Sequence, residues 1–216
     1  MKEKIKKLKT FIIKNTKWII LSASLISLLI IIKDVINEEI VETDTKGYKI
    51  ISTHLISNNV TPIAKTITKL GGTFWLIGLS IVLFLIIKNK KIGKSIFLNL
   101  GCSALTNFTL KQIIQRPRPT EYRIIDESGY SLPSGHSMVS MSFYGYLIYL
   151  IIKKIKNKYL KISLVTLLTI LIISIGISRI YLGVHYTSDV LAGFLVAISY
   201  LIIYINIIKN FIEDKE

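Results

Sequence analysis

The chain has 216 residues, 51% of them apolar, with a formal net charge of +15 and a mean hydropathy of +0.54. Apolar content this high, combined with this much charge, is unusual for a soluble domain. The basic residues lie in short clusters between long Ile/Leu runs rather than along a polar face, which argues against a nucleic-acid-binding protein. We therefore interpret the charge as a determinant of membrane topology.

The N-terminal segment predicts a first transmembrane helix. Residues 1–17 contain seven lysines and one glutamate, and residues 18–32 carry no charge. A secretory signal peptide begins in the same way, but no small-x-small cleavage pattern follows Ile32 and further apolar segments come later. We therefore expect an uncleaved membrane-spanning helix that starts near Phe11.

A polar connector follows at residues 33–72, with five acids and five lysines. Within it, Thr61 followed by Pro62 predicts the start of a helix. Beyond that point apolar residues recur at helical spacing, which predicts an amphipathic helix lying at the membrane interface. These residues are Ile63, Ile67 and Leu70.

The rest of the chain is dominated by long apolar runs. Several have only 15 or 16 uncharged residues, fewer than the roughly 20 that cross a hydrocarbon core of about 30 Å. Snorkelling lysines or local bilayer thinning would make up the difference. Length alone leaves a soluble all-helical protein open, but six such runs argue against it. We predict an all-α integral membrane protein, one domain over residues 1–216, with an N-terminal transmembrane helix and five more at 73–87, 92–114, 137–152, 162–177 and 190–208.

The distribution of basic residues predicts the orientation. Residues 1–17, 88–94 and 153–161 hold 16 of the 28 basic residues against a single acid, Glu3. Such an excess of Lys and Arg is typical of cytoplasmic loops. With six crossings, both termini lie in the cytoplasm, and three polar segments meet at the outer face of the plasma membrane: residues 33–72, 114–136 and 178–189.

The segment from Ser178 to Asp189 lies between two strongly apolar runs. Ionisable residues beside a bilayer are costly and point to function. On a helix, His185 and Asp189 share one face, so the carboxylate can accept the Nδ1 proton and leave Nε2 bare and more basic. The structural alternative is a histidine held in a salt bridge at a helix end.

Two further segments on the same face carry polar residues. Prolines after Arg116 and Arg118 favour extended backbone, so the preceding helix should end near Gln115. The sequence Pro133-Ser134-Gly135-His136 comes directly before an apolar run, and a helix N-terminus with a serine cap is a suitable anion site. Taken singly, the first segment could be a lipid-headgroup anchor and the second an ordinary cap and turn.

Together the three segments indicate phosphoryl transfer, in which a protein positions the group and neutralises charge on its oxygens. They supply three cations, a hydroxyl and an amide donor, and two imidazoles. No His/Cys or Asp/Glu set has metal-ligand spacing, so we expect a site without a metal or other cofactor. The residues are Lys111, Arg118, Arg179, Ser134, Gly135, His136 and His185.

These stretches resemble the signature of the type 2 phosphatidic acid phosphatase (PAP2) superfamily. Its first part, a lysine, six residues and Arg-Pro, is similar to Lys111 with Arg118 and Pro119. Its second part, Pro-Ser-Gly-His, matches 133–136, and its third, Ser-Arg, five residues, His, three residues and Asp, matches 178–189. The motif region therefore spans residues 111–189, and the connector at 33–72 matches no motif.

The resemblance implies a role for each matched residue. His185 would be the nucleophile that forms a phosphohistidine, and Asp189 would orient it. His136 would protonate the leaving oxygen and then activate water. The phosphate oxygens would be held by Lys111, Arg118, Ser134, Gly135 and Arg179.

The resemblance also implies a lipid phosphate as substrate, reached laterally from the bilayer, with no nucleic-acid partner and an undetermined oligomeric state. Undecaprenyl pyrophosphate is the first expectation, and phosphatidylglycerophosphate or phosphatidic acid the second. A phosphotransferase of the same fold, in which a hydroxyl replaces water, is an alternative enzyme. A non-catalytic membrane protein or transporter is the alternative from a different class, although no signature residue is missing.

Overall fold

The computed structural model describes residues 2–37 and 41–212, with side chains described at 14–37 and 42–212. In these residues the backbone forms eight helices and no strand. The all-helical prediction is thereby confirmed. The helices are α1 (Lys2–Ile36), α2 (Val41–Leu55), α3 (Val60–Lys69), α4 (Thr73–Ile86), α5 (Lys90–Ile114), α6 (Gly135–Lys154), α7 (Lys158–Tyr181) and α8 (Thr187–Ile212).

Helix α6 lies at the centre of the bundle and packs against α5, α7 and α8. Outside this group, α1 packs on α8, α3 on α7, and α4 on α5. Small residues allow the close approach, as is common between membrane helices. At Gly193 of α8, a Cβ atom would lie 3.0 Å from the carbonyl oxygen of Ser134, at the start of α6. The first turns of α6 and α8 are therefore held against each other.

The outer surface of the bundle is apolar. Side chains such as Leu29, Leu85, Leu105, Leu167 and Ile207 are more than 60% exposed. A contiguous apolar surface of this kind is suited to contact with lipid rather than water. In the part of the chain that the structure describes, four helices are long and apolar enough to cross a membrane, and the pair α3–α4, bent by 52°, would make a fifth. The predicted count of six spanning helices is therefore not confirmed.

Helix α5, with 25 residues, is long enough to span a membrane, but its composition is too polar for it to be counted among these helices. One set of its polar residues recurs at every fourth position and is buried, so this stripe faces the bundle and not the lipid. Tyr146 donates to the hydroxyl of Ser95 (2.7 Å), and Tyr200 donates to the carbonyl of Asn99 (3.0 Å). Interhelical hydrogen bonds of this kind join α5 to α6 and α8. The polar residues of the stripe are Ser95, Asn99, Ser103 and Asn107.

The N-terminal helices differ from the sequence predictions in three ways. Helix α1 starts at Lys2 rather than near Phe11, because lysine is a good helix former and the charged segment continues the helix. The connector at 33–72 contains a complete helix, α2, that no pattern predicted. Helix α3 begins at Val60 and takes in Thr61 and Pro62, since a proline in the first turn costs no hydrogen bond.

The predicted amphipathic segment corresponds to α3. Its buried residues are Ala64 and Thr68, which face α7, whereas Ile63 is exposed. A position at the membrane interface is not confirmed. The contact between α3 and α7 matters for the site, because Thr68 lies against the last turn of α7.

Candidate active site

The first site segment begins where α5 ends. Gln115 has a left-handed conformation (φ 52°), and its N–H donates to the carbonyl of Lys111 (3.0 Å), which terminates the helix. The predicted end near Gln115 is confirmed. The loop then folds back on itself, because Ser131 N–H donates to the carbonyl of Arg116 (2.8 Å) and its hydroxyl to that of Pro117 (3.0 Å).

This loop packs directly on the turn between α7 and α8. Ile124 N–H donates to the carbonyl of Leu182 (3.0 Å). At Gly183, φ is +67° and a Cβ atom would lie 1.9 Å from the carbonyl oxygen of Tyr122. Only glycine fits both the backbone conformation and this close approach. The two loops therefore form one continuous end to the bundle.

His185 and Asp189 are in contact and fully buried, with His185 Nδ1 3.3 Å from Asp189 Oδ2. The prediction that they share a helix face is wrong, since α8 begins at Thr187 and His185 lies in the turn before it. Asp189 instead reaches back across the first helical turn, where Oδ2 also accepts a hydrogen bond from Tyr186 N–H (3.0 Å). This is the carboxylate half of a capping box, and it fixes the carboxylate relative to the turn.

The other ring nitrogen of His185 meets Arg118. Arg118 Nη1 lies 2.9 Å from His185 Nε2 and also donates to the carbonyl of Val184 (2.9 Å). A guanidinium only donates, so Nε2 is the acceptor and the proton resides on Nδ1, facing Asp189. Burial, assisted by the charge of Arg118, lowers the pKa of His185 to about 4 despite the opposing effect of Asp189. His185 is therefore a neutral imidazole near pH 7, and its Nε2 lone pair accepts the hydrogen bond from Arg118.

Glu127, a carboxylate outside the sequence motifs, contacts two of the predicted phosphate-binding residues, Arg179 and Arg118. Its Oε1 accepts from Arg179 Nη2 (2.5 Å), and Oε2 lies 3.9 Å from Arg118 Nη2. Arg179 is buried and also donates to Thr68 of α3 (2.8 Å). Partial burial raises the pKa of Glu127, but the charge and hydrogen bond of Arg179 outweigh it and hold that pKa below its ordinary value.

The N-terminus of α6 is bound to α8 through the backbone. Ser134 N–H donates to the carbonyl of Asp189 (3.0 Å). Ser134 occupies the N-cap position but caps no backbone amide, and its hydroxyl accepts from Ser137 Oγ (3.0 Å). The expected serine cap is therefore absent. His136, the second residue of α6, lies close to the α3–α4 break, where a Cβ on Gly71 would approach its ring within 3.4 Å.

Lys111 projects from the last turn of α5 toward the loop. Its Nζ donates to the carbonyl of Tyr130 and lies 3.4 Å from that of Ser131. In this structure the ammonium group is therefore bound to backbone oxygens, the kind of acceptor that a phosphate oxygen can replace.

Two cavities reach His136 from different directions. One, of about 750 Å³, is also lined by Arg179 and Glu127 and has Lys65 and Lys69 among its lining residues. The other, of about 600 Å³, is largely apolar and lies between α4, α5 and α6, with Lys111 and His136 at its polar end. Among the described residues, no group of three or more His, Cys, Asp or Glu side chains could hold a metal ion.

Glu127 competes with any anion for Arg179 and Arg118. We expect Glu127→Gln to lower the inhibition constant of inorganic phosphate about fivefold, because an ion pair of this partly exposed kind is worth up to about 1 kcal/mol. Asp126→Asn, a change at the exposed neighbouring acid, is the matched control and should leave the constant unchanged. A rise in the constant for Glu127→Gln would show that the carboxylate supports anion binding instead.

Comparison with known families identifies this arrangement. The family model described as the PAP2 superfamily matches residues 92–213, more than half of the chain. The chain belongs to the PAP2 superfamily. All of the site residues predicted from the sequence, from Lys111 to Asp189, lie within the matched PAP2 region.

Individual PAP2 relatives extend the comparison. The chain is 34% identical over 133 residues to phosphatidylglycerophosphatase B of Bacillus subtilis, and 34% identical over 119 residues to dolichyldiphosphatase 1 of Dictyostelium discoideum. The matches cover 59% and 53% of this chain but only 65% and 52% of those relatives' lengths. The fold is similar to the crystal structure of a transmembrane PAP2-type phosphatidylglycerolphosphate phosphatase from Bacillus subtilis, with a TM-score of 0.81, 25% identity, and coverage of 91% of this chain and 98% of that one.

The PAP2 signature accounts for the residues that meet at the site, and the structure adds others to them. Arg116, which the motif spacing set aside in favour of Arg118, is bonded to Asp189 Oδ1 (2.7 Å). Asp44 of α2 is buried against the start of α8. The sequence offered a signal for Arg116, because it precedes a proline next to the motif arginine. It offered none for Asp44, because helix α2 itself was not predicted.

Proposed function

We propose that this PAP2 protein hydrolyses a lipid phosphate through a phosphohistidine intermediate, without a metal or other cofactor. The observation that carries the proposal is the state of His185. Its neutral Nε2 accepts from the cationic Arg118, while Nδ1 is bound to Asp189. A base oriented by a third group, beside cations that stabilise phosphate oxygens, is the arrangement that nucleophilic phosphoryl transfer requires.

In the first step, Arg118 moves from Nε2 to a phosphate oxygen as the substrate binds. His185 Nε2 attacks phosphorus and forms the N–P bond, while the P–O bond to the lipid breaks. His136, in its protonated form, donates a proton to the leaving oxygen and becomes neutral. The Nδ1 proton stays with His185, and Asp189 stabilises the cationic phosphoimidazole.

In the second step, the neutral His136 removes a proton from water as the water oxygen attacks phosphorus. The N–P bond breaks, inorganic phosphate leaves, and His185 returns to the neutral state. Lys111, Arg118 and Arg179, with the Ser134 hydroxyl and the Gly135 amide, bind the phosphate oxygens in both steps.

The cavities support a lipid as the substrate. A phosphate near His136 would have its apolar chain in the groove between α4, α5 and α6, which faces the lipid-exposed side of the bundle. Undecaprenyl pyrophosphate and phosphatidylglycerophosphate are both candidates, since the two relatives at 34% identity are named for a polyprenyl-type diphosphate and for phosphatidylglycerophosphate. Phosphatidic acid fits the same chemistry.

We also propose that the site opens at the outer face of the plasma membrane, with both termini in the cytoplasm. The turn joining α6 to α7 lies at the opposite end of these helices from the site, and residues 153–161 around it carry five lysines. Such loops are retained in the cytoplasm.

The test is release of inorganic phosphate by the detergent-purified protein, in the presence of EDTA, from each of the three lipids. Release that persists in EDTA supports a metal-independent hydrolase, and the preferred lipid identifies its substrate class. Transfer of the phosphate to an added hydroxyl compound without free phosphate would identify the phosphotransferase. Neither release nor transfer with any lipid would favour the non-catalytic alternative.

A further inference from the structure

A second buried charge network lies behind the His185–Asp189 pair. The guanidinium of Arg116 bridges two buried carboxylates, with Nη1 2.7 Å from Asp189 Oδ1 and Nη2 2.7 Å from Asp44 Oδ2. It also donates to the hydroxyl of Ser188 (2.8 Å) and lies 4.0 Å from the centre of the Tyr186 ring. Arg116 is therefore held from four sides by groups that are not phosphate.

Asp44 fixes the start of α8 from outside that helix. Its Oδ1 accepts from Ser188 N–H (2.8 Å), and its Oδ2 accepts from the Ser188 hydroxyl (2.9 Å). An acid that accepts from an amide in the first turn is an N-terminal cap, here supplied by another helix. One turn further along α2, a Cβ on Gly47 would lie 2.1 Å from Thr187 Oγ1, so the two helices are in close contact at this point.

The two oxygens of Asp189 have separate partners. Oδ1 is bound to Arg116, and Oδ2 to His185 Nδ1 and Tyr186 N–H. Without Arg116, Asp189 Oδ1 loses its ion pair and keeps only the 3.5 Å contact from Ser131 Oγ, and two buried carboxylates are left with too little positive charge. Without Asp44, the full charge of Arg116 faces Asp189 and weakens its hold on His185. With all three groups present, one net negative charge remains, and it faces the imidazole.

We propose that Arg116 and Asp44 form a positioning clamp that holds Asp189, and through it His185, in the geometry needed for attack on phosphorus. The clamp assigns a function to α2, a part of the chain outside the PAP2 signature. Neither residue touches the substrate, so both act through Asp189. This proposal depends on the proposed hydrolysis at His185.

A split between kcat and KM tests the clamp. We expect Arg116→Gln and Asp44→Asn each to lower kcat about 100-fold, the effect of a small misplacement of a reacting group, with KM and the inhibition constant of inorganic phosphate changed less than about twofold. The double variant should be no slower than the slower single variant, because the two residues act as a unit. Exposed neighbours supply matched controls, Arg123→Gln in the same loop and Glu42→Gln on the same helix, and these should retain wild-type kcat.

Thermal unfolding of each detergent-purified variant separates positioning from misfolding. If Arg116→Gln does not fold, Asp44→Asn decides, because asparagine keeps an acceptor for Ser188 N–H while it removes the charge and the Oδ2 acceptor that holds Arg116. An unchanged kcat in folded variants would overturn the clamp, as would a parallel rise in KM and in the phosphate inhibition constant, which would make Arg116 a phosphate ligand. An inactive wild-type protein would instead refute the hydrolysis proposal, and the clamp with it.

Discussion

Replacement of His185 by glutamine is expected to abolish phosphate release, with a loss of at least about 10⁴-fold in kcat, because removing a nucleophile removes the covalent route altogether. Glutamine keeps a polar side chain that can still bond Arg118 or Asp189, so the buried site is disturbed less than by alanine. The measurement is the initial rate of inorganic phosphate release from the preferred lipid.

The matched control for this variant is His54→Gln. His54 lies exposed on α2, where its Nδ1 contacts the carbonyl of Ile50 (2.8 Å), and it has no place in the proposed reaction. It should retain wild-type turnover. Substantial phosphate release by folded His185→Gln would show that another group attacks phosphorus.

The second large effect is expected at His136. We predict that His136→Gln lowers kcat/KM for a lipid phosphate about 10³-fold, the usual range for loss of a general acid. An aryl phosphate has a leaving group that departs without a proton, so kcat/KM for that substrate, which reports steps up to phosphoenzyme formation, should fall far less. The comparison therefore isolates protonation of the leaving oxygen.

Equal losses for the lipid and aryl substrates would contradict the assignment of His136 as the general acid. They would indicate that His136 supports phosphate binding or the structure of the α6 N-terminus instead. The inhibition constant of inorganic phosphate distinguishes these two, since it rises only if binding is affected.

The sequence was sufficient for the parts of the site that depend on local chemistry. The prolines after Arg116 and Arg118 predicted the end of α5 near Gln115, and the structure confirms it. The i,i+4 spacing of His185 and Asp189 predicted a contact that is present at 3.3 Å. The geometry behind it differs, because the carboxylate reaches back from the first turn of α8 to the preceding turn, and a spacing alone does not distinguish a helix face from a cap.

The remaining parts depend on tertiary contacts that no local pattern records. Glu127 lies in a loop without periodicity, and its importance follows only from its position against Arg179. Asp44 is one of five acids in the connector, and no sequence pattern distinguishes it; its role follows from its burial against Ser188. The polar stripe of α5 lowered its hydropathy as a membrane span, but it faces the bundle, where the Ser95 hydroxyl accepts from Tyr146 of α6 and the backbone carbonyl of Asn99 accepts from Tyr200 of α8.

The central claim is that phosphate is carried on His185, and rapid-quench analysis tests it most directly. Wild-type protein and His136→Gln would be mixed with lipid phosphate labelled in its phosphoryl group, quenched in base, and mapped by peptide mass spectrometry. We predict a base-stable, acid-labile label on the peptide containing His185 that is lost from the wild-type protein on chasing with unlabelled substrate and is absent from His185→Gln. Label on a different residue, or turnover without any labelled enzyme, would contradict the account.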